Sequence, residues 1–91
     1  READILRLKL PDADRRLIEQ AAQLVNSLRK EDLEKKPGIA ESIDWLKALM
    51  LCGFQSMPDD PLLIRGSLSC LIKTARDRVD VNDNILQRLL G

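Results

Sequence analysis

Lys35-Lys36-Pro37-Gly38-Ile39-Ala40-Glu41-Ser42-Ile43-Asp44-Trp45-Leu46-Lys47-Ala48-Leu49-Met50-Leu51-Cys52-Gly53-Phe54 is the stretch whose reading decides the fold. Pro37-Gly38 breaks whatever precedes it, because proline has no N–H to donate and glycine tolerates backbone angles that other residues avoid. Beyond the break, Ile39, Ile43, Leu46 and Met50 recur at helical spacing, and Trp45, Leu49 and Cys52 form an adjoining stripe. Glu41, Asp44 and Lys47 share the remaining side. Counted at roughly 100° per residue, the apolar arc covers about half the circumference, which suits a helix flanked by other helices. Gly53 supplies the left-handed stop common after a helix C-terminus. The stretch is therefore expected to be the central helix of a small bundle.

Working outward toward the N-terminus, Glu2 to Leu8 reads as a short helix with Ile5, Leu6 and Leu10 facing inward. Leu10-Pro11-Asp12 ends it, since the residue before a proline is pushed out of the α region. Asp12 or Asp14 then caps a second helix. Its apolar residues Leu17, Ile18, Ala21, Leu24, Val25 and Leu28 hold one face, and Arg29-Lys30 places positive charge at its end. Glu31 to Lys36 is a charged connector with one apolar anchor, Leu33.

Toward the C-terminus, Gln55 to Pro61 is a turn-rich loop. Asp60-Pro61 is a helix start, with aspartate at the cap and proline in the first turn. Ile64, Leu68, Leu71, Ile72 and Ala75 make the apolar face of a fourth helix, with Arg65, Lys73 and Arg76 turned away and Gly66 and Ser67 permitting close contact. The pattern changes phase near Val79 to Asn82, where Asp80 can cap a last helix striped by Ile85, Leu86, Leu89 and Leu90. About five helices with short connections give an all-α fold, a small helical bundle read as one domain over residues 1–91.

Composition narrows the chemistry. Lys+Arg and Asp+Glu both number 15, and the formal net charge of zero argues against a nucleic-acid binder, whose affinity rests on excess positive charge. There is no histidine, the commonest general base and metal ligand. Cys52 and Cys70 sit among apolar residues and read as buried, reduced thiols of a cytoplasmic protein. No apolar run approaches the roughly 20 residues of a membrane span. The phosphate-loop, dinucleotide, zinc-protease and nucleophile-elbow patterns are all lacking, so no catalytic residue is assigned within the chain. Asp80, Asn82, Asp83 and Asn84 resemble oxygen ligands, but without the glycine and glutamate of a calcium loop they read as helix caps.

The stretch from Lys36 to Leu49 resembles the lid subdomain of MoxR-type AAA+ ATPases. So does Ile5-Leu6-Arg7-Leu8-Lys9-Leu10-Pro11 followed by a helix ending Val25-Asn26-Ser27-Leu28-Arg29, and the agreement in helix order spans essentially the whole chain. The resemblance implies a C-terminal lid that closes over a nucleotide held by an upstream ATPase core, with ATP and Mg as cofactors of the parent protein. It also implies contacts to neighbouring subunits of a ring, a client protein and movement about a hinge near Arg1. The missing catalytic motifs would lie upstream. The nucleotide-facing residues implied are Lys36, Gly38, Ile39 and Ser42. Ser42 stands where the family carries its sensor-2 arginine, and Glu41 where it carries a proline. A serine hydroxyl stabilises phosphoryl charge far more weakly than an arginine. Lys35 or Lys36 is an alternative cation from the preceding turn. The plainer readings stay open: Ser42 as a first-turn serine bonded to backbone, Trp45 as core, Gly38 as an ordinary helix-start glycine. A non-enzymatic helical interaction domain, binding through the last helix, is the alternative function.

Overall fold

In the computed structural model, residues 2–72, 74–81 and 83–90 are described, apart from the side chains of Ala75, Val79, Asp80, Asp83, Asn84 and Leu90. The expectations for Lys73, for Ala75 as a core residue, for the Asp80 cap, for the Asp80–Asn84 oxygen cluster and for Leu90 fall outside that description. Among the described residues six α-helices and one 3-10 turn follow one another: α1 (Glu2–Lys9), α2 (Arg15–Leu28), α3 (Ile39–Leu51), α4 (Pro61–Arg65), the 3-10 turn (Leu68–Cys70), α5 (Ala75–Asp80) and α6 (Asp83–Leu90). The described residues contain no strand.

α2 forms as its pattern requires. Asp14 caps it by accepting from the Arg16 N–H at 2.8 Å, and all six expected apolar residues are buried. α1, α3 and α6 pack against it. α1 is too short to bury more than one stripe, and Ala3, Leu6 and Leu10 fall within about 60° of one another around its axis. Ile5 lies outside that arc and is 44% exposed, contrary to expectation, and Leu8 on the far side is 82% exposed.

α3 is the central helix, but its buried face is rotated from the expected one. Ser42, Trp45, Leu46 and Leu49 are buried. Ile43 and Met50 flank them, and Ile39 is 38% exposed. A polar serine at the centre of the contact face hides that centre from a pattern of apolar residues. Cys52 is exposed, not buried, because α3 has ended before it; Cys70 is half-buried, and both are free thiols. The stop itself is as expected. Gly53 has φ 85°, its N–H donates to Met50 O at 2.9 Å, and the Phe54 N–H donates to Leu49 O at 3.2 Å. These two bonds satisfy two of the last carbonyls of α3, and a Cβ at residue 53 would strain this left-handed angle.

The expected fourth helix is three pieces. Asp60 caps α4 through the Leu62 N–H at 3.0 Å with Pro61 in the first turn, as anticipated. α4 then ends at Gly66, and the Ser67 hydroxyl donates to Ile64 O at 2.7 Å. A 3-10 turn carries the chain to Leu71 and Ile72, consecutive residues that are both fully buried. Thr74 restarts the helix by accepting from the Asp77 N–H at 3.1 Å. Thr74-Ala75-Arg76-Asp77 has the spacing of a capping box, the sequence signal for this break. Leu86 is fully buried and Ile85 and Leu89 pack against the core, so these three residues of the α6 stripe belong to the interior. A radius of gyration of 12.0 Å matches the roughly 12 Å of a compact chain of this length.

Candidate functional site

Lys36, Gly38, Ile39 and Ser42 all lie at the entry to α3, where the α2–α3 connector turns into the helix. Three of them have a defined local role. The Lys36 ammonium donates to Arg29 O and Glu31 O, both at 2.7 Å, and so neutralises the carbonyl end of α2. Gly38 is the N-cap of α3, and its N–H donates to Glu41 Oε1 at 3.2 Å. Its angles, φ −96° and ψ −172°, are extended backbone open to any residue. A Cβ there would meet nothing nearer than Glu41 Oε1 at 3.6 Å, an ordinary contact. Ile39 and Ala40 stand exposed in the first turn.

Ser42 is buried, and its hydroxyl is shared between Glu2 Oε2 at 2.7 Å and Gly38 O at 3.1 Å. The backbone-bonded reading of this serine therefore holds, with a carboxylate added. Glu2 in turn is gripped by Arg29, whose Nη1 donates to Oε1 and whose Nη2 donates to Oε2 at 3.1 Å. Arg29 also donates from Nε to Pro37 O at 2.7 Å. One planar guanidinium thus ties α1, the end of α2 and the residue before Gly38. Among the described residues no buried side-chain nitrogen or oxygen lacks a partner, so this network is closed. Beside it lies a groove of about 410 Å³ lined by Glu2, Ala3, Glu19, Ala22, Gln23 and Asn26. Lys36, Gly38, Ile39 and Ser42 do not line it.

The connector itself is held from the other side by Asp77, a residue that the sequence pattern did not single out. Asp77 has no accessible surface, yet its two oxygens accept the Glu34 N–H at 2.8 Å and the Lys35 N–H at 2.9 Å. Burial pushes this carboxyl up. The two backbone donors, the Thr74 hydroxyl and the Arg76 charge outweigh it and hold the group below its ordinary 3.8. The folded chain therefore gives up this proton more readily than the unfolded chain. Its contribution is complete above ~pH 4 and drains away as pH falls through the lowered folded value. Urea midpoints at about pH 5 and about pH 3 should fall less steeply with acid in Asp77→Asn than in the native chain. Parallel slopes would remove Asp77 from the acid response.

The structure joins Gly38 and Ser42 directly and ties both to Glu2 and Arg29, leaves Ile39 exposed, and turns the Lys36 ammonium back onto the end of α2. Arg29 was legible only as positive charge at a helix end, and Glu2 only as part of α1. Their pairing spans 27 residues and has no local signature. Among the described residues no group of three His, Cys, Asp or Glu is placed to hold a metal, and no helix is long and apolar enough to cross a membrane. No protein-family model, no curated protein and no solved structure matches the chain.

Proposed function

We propose that this chain is the C-terminal lid of a MoxR-like AAA+ ATPase, a cytoplasmic ring assembly in which the nucleotide and Mg are held mainly by an upstream core. The observation that carries the reading is the bare entry to α3. The stretch that resembles the family's lid begins there, Gly38 has no side chain although its backbone does not require that, and Ile39 and Ala40 stand exposed beside it. In this reading the lid closes that edge over the nucleotide and moves as a rigid body when the nucleotide changes, passing the movement to neighbouring subunits and so to a client. The chain performs no catalysis of its own. Ser42, engaged with Glu2, serves the integrity of the edge in place of the family's arginine.

The coding sequence upstream of Arg1 tests this directly: a phosphate loop followed by an acidic metal-binding strand supports it, and an upstream region without a phosphate loop removes it. In calorimetry the isolated chain should bind MgATP no tighter than about millimolar, because one wall of a site offers few contacts. Micromolar binding would place a complete nucleotide site inside these residues and overturn the lid reading.

A second reading, a helical interaction domain, draws on the apolar surface left outside. Leu8 is 82%, Leu51 90% and Leu62 67% exposed. With Leu86 inside the core, the exposed apolar residues of this reading lie not on the last helix but on α1, at the end of α3 and on α4.

A further inference from the structure

The connector between α2 and α3 contains no regular helix or strand, so its amides lack the repeating partners that helices provide. Two consecutive ones, of Glu34 and Lys35, instead converge on a single carboxylate, Asp77, contributed from 43 and 42 residues further along. Asp77 is fixed in turn, since its own N–H is held by Thr74 at the start of α5. Next to this clasp, Leu33 is buried and lines, with Val81 and Ile85, a groove of about 320 Å³ between the connector and the α5–α6 junction. Arg88 on α6 adds a 2.8 Å pair to Glu31, an exposed contact that guides more than it holds.

On its far side the connector is anchored just as closely. Lys36 is fastened to the end of α2, and Pro37 O accepts from Arg29. One residue, Lys36, separates the Lys35 amide held by α5 from the Pro37 carbonyl held by α2. Gly38 and Ile39 follow at once. So short a span leaves few backbone torsions to absorb a displacement at either end.

We infer that Asp77 is a coupling residue: its carboxylate locks the connector to α5, so that a shift of α5–α6 reaches the turn at Lys36–Ile39, and a shift of that turn reaches α5–α6. The coupling is reciprocal because both ends share one closed or open clasp. It requires no nucleotide, so it stands or falls separately from the lid reading.

Residue-resolved amide exchange on the whole chain tests it with Asp77→Asn, which replaces one accepting oxygen by an NH2 group facing an N–H. Protection of the Glu34 and Lys35 amides should fall on the order of tenfold to a hundredfold, as for loss of charged hydrogen bonds. The Gly38 and Ile39 amide resonances should shift with it, while Leu24 and Val25 in α2 keep their protection. Unchanged protection at Glu34 and Lys35 would overturn the inference, and so would a loss confined to those two amides with Gly38 and Ile39 stationary. Should the variant lose α2 protection as well, exchange of the native chain in sub-denaturing urea decides. Glu34, Lys35, Arg78 and Val81 opening together, with one denaturant dependence, supports the clasp; separate openings exclude it.

Discussion

Replacing Trp45 by alanine is expected to lower the stability of the chain by about 4 kcal/mol, within the roughly 3–5 kcal/mol range for Trp truncations in cores. Trp45 is the largest fully buried side chain and lies on the α3 contact face. Its indole N–H donates to Ser67 Oγ at 2.9 Å, and that hydroxyl donates in turn to Ile64 O at 2.7 Å. Truncation opens a cavity between α3 and the 3-10 turn that packs on it, and also removes the donor that fixes Ser67 at the break after α4. Set against the roughly 5–15 kcal/mol total of a natural domain, such a loss removes between about a quarter and most of the stability. Trp45→Phe keeps most of the ring and loses the hydrogen bond, so its cost should be nearer ~1–2 kcal/mol. Because Trp45 is the only tryptophan, the comparison needs far-ultraviolet circular dichroism in urea and not fluorescence. A loss below about 0.5 kcal/mol for the alanine variant is the behaviour of a surface residue and would overturn the packing of α3. Ile43, half-buried at the flank, should cost less than Leu46, which is fully buried.

Arg29→Ala is the second large effect, at about 2–3 kcal/mol. Stranding one member of a fully buried ion pair costs roughly 3–5 kcal/mol, and exposed pairs contribute under ~1 kcal/mol. The Arg29 and Glu2 side chains are 30% and 14% exposed, which puts this pair between those limits and nearer the first. The substitution deprives three acceptors at once: both oxygens of Glu2 and the Pro37 carbonyl. Lysine should recover only a minor part, because one ammonium cannot reproduce the planar fork that reaches α1 and the connector together. A double-mutant cycle with Glu2→Ala isolates the pair, and its coupling energy should reach about 1 kcal/mol or more. Coupling within ~0.3 kcal/mol of zero would show that the guanidinium acts by packing alone.

These two residues also mark where reading the chain from its sequence succeeds and where it fails at the α3 entry. Gly38 as a helix start, Gly53 as a left-handed stop, Trp45 as core, the Asp60 cap and an α2 cap at Asp12 or Asp14 all follow from rules acting within about five residues. The α3 entry was likewise legible as an edge. What each of its residues does there was not. The Lys36 ammonium turns back to the carbonyls of Arg29 and Glu31 just past α2, and Ser42 meets a carboxylate 40 residues earlier in the chain. No periodicity in the sequence encodes either partner.

By itself the sequence determined an all-α chain, the complete buried face of α2, the position of α3 and the main caps and stops. Those features depend on helical period and on local backbone hydrogen bonding, which neighbouring residues specify among themselves. Tertiary structure alone decided which side of α3 faces inward. It also decided that Arg29 binds Glu2 and that Asp77 holds the connector. In each case the outcome is set by groups tens of residues apart. A buried serine can occupy the middle of an apolar face once a carboxylate reaches it, and a buried aspartate is stable once two backbone N–H groups meet it. Satisfying buried polar atoms is a property of the assembled chain, and only the assembled chain shows how it is done.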